Sequence, residues 1–127
     1  MAYEIIWEEK GIHVRFSGTV TEQDVMMVND LMYGDIRFGT IKYQISDYTE
    51  AMNIQITPRY AKVIGALDRS SSRWTHHMMR NIVVTKDKKF IPIVETYFKE
   101  FEGTNWECRI FETLELAYDW VGSFGSQ

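Results

Sequence analysis

Two β-patterned runs open the chain, at residues 3–7 and 12–16, and helix and strand patterns alternate strictly from there to the end. Alternation of this kind commits a chain to one sheet with helices packed on it. Glu9-Lys10-Gly11 joins the two opening runs as a tight turn, with Gly11 expected to supply a positive φ. In the second run Ile12, Val14 and Phe16 share one side, and His13, Arg15 and Ser17 share the other. That period of two, with one polar side, predicts an antiparallel hairpin near a sheet edge. His13 reads as an isolated residue on the polar side.

Thr21 followed by Asp24 matches a capping box, and Val25, Val28, Leu31 and Met32 follow at helical spacing up to Gly34. Ile41, Tyr43 and Ile45 make the third strand, and Asp47-Tyr48-Thr49-Glu50 is expected to lead off its end into a loop through Asn53. Thr57-Pro58 opens a second helix, since Thr suits the cap and Pro the first helical position. Its apolar stripe is Tyr60, Val63, Ile64 and Leu67, and Ser70-Ser71-Ser72 should end it before or near Trp74. Residues 81–85 are nearly all apolar and predict a strand buried on both faces. A third helix carries Val94, Tyr97, Phe98 and Phe101, with Gly103 as its stop. A strand over 106–111 follows, then a helix capped by Thr113 that should bury Leu116, Ala117, Trp120 and Val121.

The expected fold is therefore α/β, in the order β-β-α-β-α-β-α-β-α. The sheet should be mixed, with the hairpin at one edge and the later strands parallel through right-handed crossovers. Val28, Ile45, Val63, Ile64, Val83, Ile110 and Trp120 are the expected core. One domain should span 1–122, with a loose tail over 123–127. A length of 127 residues suits a single domain with a real core. The net charge of −4 and the lack of any basic cluster argue against nucleic acid as a partner. A single cysteine rules out an intrachain disulfide. Neither a signal-peptide pattern nor a run of membrane-spanning length is present, which predicts a cytoplasmic protein.

Several of these segments together resemble the SpoIIAA-like family, related to the STAS domains of anti-sigma-factor antagonists and anion transporters. The resemblance rests on the hairpin start, the strand 41–46 ending in Asp47, the buried strand 82–85, and the close at 106–111 and 114–121. Within that close, a strand ending in Phe111 is followed by Leu114, Glu115, Ala117 and Trp120. The resemblance implies a STAS-like sheet with helices and a non-enzymatic role in regulation or ligand binding. In phosphorylated STAS domains an Asp ends strand three and a Ser opens helix two within an Asp-Ser-Ser-Gly-like motif. Asp47 matches that Asp, and Thr57 is the nearest match to the phosphorylated hydroxyl. Gln55-Ile56-Thr57-Pro58 stands at the motif, with Pro58 in place of Gly.

The candidate binding or switch residues are Asp47, Thr49, Thr57, Trp74, Met78 and Met79. Thr57 at a helix start could carry a phosphate, although Thr-Pro is also an ordinary cap. Asp47 could organise a polar site with Thr49, or bind loop N–H groups. Trp74, Met78 and Met79 could flank an apolar cleft beside the second and third helices, or fill the core. His76-His77 is a poor metal pair, because adjacent residues point apart and no third ligand follows. Cys108 shares a strand side with Trp106 and Ile110, as a structural thiol would. No catalytic, metal or cofactor signature is present, so no enzyme and no cofactor is expected. The sequence supports a module that binds a small apolar ligand or a membrane surface. The alternative is a protein-interaction module of the anti-sigma-factor-antagonist type, switched at Thr57. A homodimer is compatible with either.

Overall fold

The computed structural model describes residues 2–72 and 78–125. Five strands form one sheet whose spatial order equals the chain order: β1 (Tyr3–Trp7), β2 (Gly11–Thr21), β3 (Tyr43–Gln55), β4 (Met79–Val84) and β5 (Trp106–Phe111). β1 and β2 are antiparallel and every later pair is parallel. The helices are α1 (Glu22–Tyr33), α2 (Pro58–Ser71), α3 (Ile91–Phe98) and α4 (Leu114–Gly125). Among the described residues the 3₁₀ turns Ile36–Thr40 and Lys99–Phe101 are added to the expected order. Gly103, at φ +81°, follows the second of them as the expected stop. α4 continues past Gly122, where the tail was expected to begin.

The helices divide unequally between the two faces. α1, α2 and α3 cover the face that carries Val14, Phe16 and Val83. α4 alone covers the other, packing Ala117 and Val121 on Tyr43, Ile45, Ile82 and Val84. The central β4 is buried as its composition requires, with Ile82 and Val84 fully inaccessible.

Three local expectations are corrected. The third strand does not stop at Asp47 but runs on to Gln55, paired with β2 as far as Thr21. What ends at Asp47 is the ladder to β4, at Val84. Gly11 has no positive φ. It is required for space instead: a Cβ there would lie 2.3 Å from the Tyr43 ring. The positive φ belongs to Gly18, at +64°, where the β2–β3 register shifts. His13 is not on a polar surface but 4% exposed, beneath α4 and edge-on to Tyr118.

Part of the expected core is also displaced. Val28, Ile45, Ile64 and Val83 are buried, whereas Val63 is 50% exposed. The inward stripe of α2 is Ala61, Ile64, Gly65 and Asp68, rotated from the one read in the sequence. Its small and charged members hide it from a hydrophobicity pattern. Trp120 is half-buried and Leu116 is exposed, because a single helix leaves the flanks of its face open, whereas Ile110 packs half-buried on the three-helix face from the edge strand β5. Trp120 fills one flank, with the Arg80 and Arg109 guanidiniums 4.2 and 4.7 Å from its ring centre.

The hairpin is tied to the rest by one carboxylate. Glu8 accepts hydrogen bonds from Tyr43 at 2.5 Å and Tyr118 at 2.6 Å, linking the β1–β2 turn to β3 and α4. The Tyr43 ring therefore has little freedom to move aside. Gly11→Ala should destabilise the fold by about 1–3 kcal/mol, the usual cost of forcing an extra carbon into packed space. A urea titration with a loss below about 0.5 kcal/mol would show that the ring yields instead.

Candidate functional site

The sequence-derived candidates fall in separate places. Asp47 lies on the α4 face, almost wholly buried. Its Oδ2 accepts from His13 Nε2 at 3.0 Å, and its Oδ1 accepts from the Thr49 N–H and hydroxyl at 3.0 and 2.7 Å. Burial pushes this carboxyl's pKa up, but the bonds from His13 and Thr49 outweigh it and hold the group below its usual value. Asp47 is thus a satisfied group that pins β2 to β3. Thr49 also borders a solvent-facing cleft of about 280 Å³ at the C-terminal ends of β4 and β5, with Lys86, Asp87 and Glu112 on its walls.

Thr57 is the N-cap of α2: its hydroxyl oxygen accepts from the Tyr60 N–H at 3.1 Å. Its own N–H and hydroxyl both donate to Glu22 Oε2 at 2.8 Å. Helix N-termini favour anions, and here the carboxylate at the start of α1 fills that position. Thr57→Ala removes the cap and should cost about 0.5–2 kcal/mol in a denaturant titration, with Thr57→Ser nearly neutral. Equal losses in the two variants would assign the effect to the methyl group.

The cleft expected beside Trp74, Met78 and Met79 falls partly outside the described residues. Met79 is fully buried in the main core and Met78 is half exposed, because β4 begins at Met79 and carries it inward. Trp74, His76 and His77 lie outside the described residues. Cys108 is half-buried, and burial pushes its thiol up to about 12, so it stays protonated.

The apolar cavity lies elsewhere. It has a volume of about 70 Å³ and sits between the sheet and the first three helices. Val14, Val28, Ile64, Val83, Phe90 and Val94 give it apolar walls. One side is polar. There Asp68, 2% exposed, accepts from Asn29 Nδ2 at 2.8 Å and from the Tyr97 hydroxyl at 2.5 Å. Tyr97 in turn accepts from Asn81 Nδ2 at 3.0 Å, and Asn81 Oδ1 accepts from Gln44 Nε2 at 3.2 Å. Gln44 Oε1 and the Tyr60 hydroxyl have no hydrogen-bond partner, and both residues line the cavity. Burial raises the Asp68 carboxyl from 3.8 to about 6, against the lowering effect of its donors. Burial, and after it the Asp68 charge, push up the pKa of neighbouring Tyr33, whose hydroxyl makes no hydrogen bond of ordinary geometry.

None of Asn29, Gln44, Asp68, Asn81 and Tyr97 stood out as a site in the sequence. The available signal was Asp68, a charge one turn beyond Ile64 on a helix face, and Asn81 heading an apolar strand. Each alone reads as an element end.

A SpoIIAA-like family model matches residues 11–122, nearly the whole of this architecture. The chain belongs to the SpoIIAA-like family. Among solved structures it is similar to the unphosphorylated anti-sigma factor antagonist SpoIIAA. That match has 14% identity and a TM-score of 0.61, and it covers 95% of this chain and 98% of the other. It is also similar to a DUF3478-family protein with a SpoIIAA-like fold from Shewanella loihica PV-4. There the identity is 17% and the TM-score 0.55, covering 94% and 91% of the two chains. At these identities the likeness establishes the SpoIIAA-like fold. No curated protein matches the chain.

A raised carboxyl pKa makes folding favour the protonated group. Asp68's contribution, about 3 kcal/mol by its shift, is full below the ordinary value of 3.8 and lost as pH rises through about 6. Asp68→Asn should remove this slope. The stability difference, wild type minus variant, should therefore fall between those two pH values and be flat above them. A difference independent of pH would show that Asp68 titrates normally.

Proposed function

We propose that this SpoIIAA-like domain is a cytoplasmic, non-enzymatic binding module, and that its ligand is a small, largely apolar molecule. The observation that carries this is the cavity between the sheet and α1, α2 and α3. Such apolar hollows with a few placed polar groups are the usual form of small-molecule sites. Its volume of about 70 Å³ limits the enclosed group to a few non-hydrogen atoms. An apolar cavity of about 150 Å³ holds benzene, for scale. Support for a non-enzymatic role comes from membership of the SpoIIAA-like family. Among the described residues no helix is long and apolar enough to cross a membrane.

Xenon is a suitable apolar probe. Pressurised xenon should shift the methyl resonances of Val14, Val28, Ile64 and Val94. Ala61→Leu, whose side chain would grow into the cavity from α2, should abolish those shifts while the protein stays folded. Unshifted methyls in the wild type would remove the cavity as a site.

A second reading, a protein-interaction module of the anti-sigma-factor-antagonist type, is favoured by the outer surfaces of two helices. α1 exposes Met27 and Leu31, and α2 exposes Val63 and Leu67, each pair one turn apart. Phosphorylation at Thr57 is the less supported part of this reading, since a phosphate would face Glu22. Self-association through these helices would be lost in a Leu31→Asp, Leu67→Asp double variant, read by sedimentation. A monomeric wild type would leave only a different protein as the partner.

A further inference from the structure

The hydrogen bonds around the cavity run in one direction. Above about pH 6 Asp68 is ionised and can only accept. The Tyr97 hydroxyl must therefore donate to it, which leaves the Tyr97 oxygen to accept from Asn81. Asn81 then faces Tyr97 with its NH₂ and turns its carbonyl oxygen towards Gln44. Gln44 in turn must present its NH₂ to Asn81, so its own oxygen is left over. One buried carboxylate thus sets the orientation of two amides and a phenol. It also polarises them, because a group that donates towards an anion becomes a better acceptor at its other end.

The leftover oxygen is the informative atom. Gln44 is 5% exposed, its Oε1 is unpartnered, and it lines the cavity. A buried acceptor without a donor costs about as much as a lost hydrogen bond, so the site favours whatever brings a donor. The Tyr60 hydroxyl on α2, also unpartnered and lining the cavity, can donate or accept. A carboxylate ligand has no proton for Gln44 and would be drawn out of water close to the Asp68 charge. An ammonium would lose its hydration, and each Asp68 oxygen that could compensate already holds a donor. A neutral group with a proton to give meets the need of Gln44 Oε1 without bringing a charge into the cavity.

We propose that the cavity recognises the uncharged, hydrogen-bond-donating end of a small molecule, a hydroxyl or a primary carboxamide, through Gln44 Oε1. This rests on the cavity being a ligand site. It adds that the ligand's inner end is a neutral donor and not an acid anion. Gln44 is the specificity-determining residue, and Asp68 is a positioning residue acting through Tyr97 and Asn81.

The test uses four probes of comparable small size at neutral pH: propan-1-ol, propionamide, propionate and xenon. Binding is followed by titration of the methyl resonances and of the Gln44 side-chain amide signals. Propionamide and propanol should bind at least about tenfold more tightly than propionate, the discrimination expected of one hydrogen bond in a buried site. The Gln44 amide signals should move with propionamide and stay in place with xenon. Gln44→Met, similar in size and without the acceptor, should lose that preference and keep xenon. If the variant does not fold, the wild-type Gln44 signals and the probe ranking decide alone. Xenon entry with no preference among the other three, or with propionate favoured, overturns the proposal and leaves the cavity as an apolar site. Exclusion of all four probes overturns the proposal together with the cavity reading.

Discussion

The parallel pairing of β2 and β3 supports everything else in the molecule. It runs from Gly11–Tyr43 to Thr21–Gln55, much further than any other strand pair in the sheet. β1 is attached to the outer side of β2, and β4 joins β3 only as far as Asp47. Both cores are then built on this ribbon, Val14 and Phe16 on one face and Tyr43 and Ile45 on the other. A parallel pair buried on both faces cannot shed unsatisfied backbone groups to water, which makes its register hard to change. The two register shifts near Ser17 and Gly18 bend the ribbon where it leaves the rest of the sheet.

Each face of the sheet also encloses a polar group that must be satisfied from within. On the α4 face, His13 and Thr49 satisfy Asp47, and two tyrosines satisfy Glu8. On the three-helix face, Asn29 and Tyr97 satisfy Asp68. The two arrangements differ in outcome. Asp47 is held as an anion by a histidine partner, whereas Asp68 has only neutral donors and pays for burial with a raised pKa. The first arrangement closes on itself. The second ends at an unpartnered oxygen beside a cavity, which is why that side of the sheet carries the functional reading.

The fold was legible because its signals are local and repeated. The capping residues Thr21 and Thr57, the alternation in β2 and the apolar run in β4 each identify an element without help from tertiary contacts. The length of β3 was not legible. Nothing in Tyr48 to Gln55 marks a strand until β2 lies alongside to pair with it. The phase of α2 misled for a different reason: Ala61 and Gly65 face inward because they are small. A Cβ on Gly65 would meet the Glu100 side chain at 2.7 Å, so the residue marks close approach rather than hydrophobicity. The cavity was the least legible feature. The hydrogen-bond network beside it draws on α1, β3, α2, β4 and α3, and no spacing along a chain expresses such a meeting.

Strand order equal to chain order has a consequence for how the protein is made. Each new strand pairs with one already emerged, so no strand ever has to be inserted between two that are paired. A chain leaving the ribosome can extend its sheet in one direction, each helix closing over the strands before it as the next strand appears. The growing edge is always the most recent strand, and it is exposed only for the time needed to synthesise one further helix and strand. α4 comes last and seals the second face in a single step. Until then Ile45, Ile82 and Val84 face water on an otherwise complete sheet, so a chain interrupted before residue 114 would present a sticky surface for chaperones to hold.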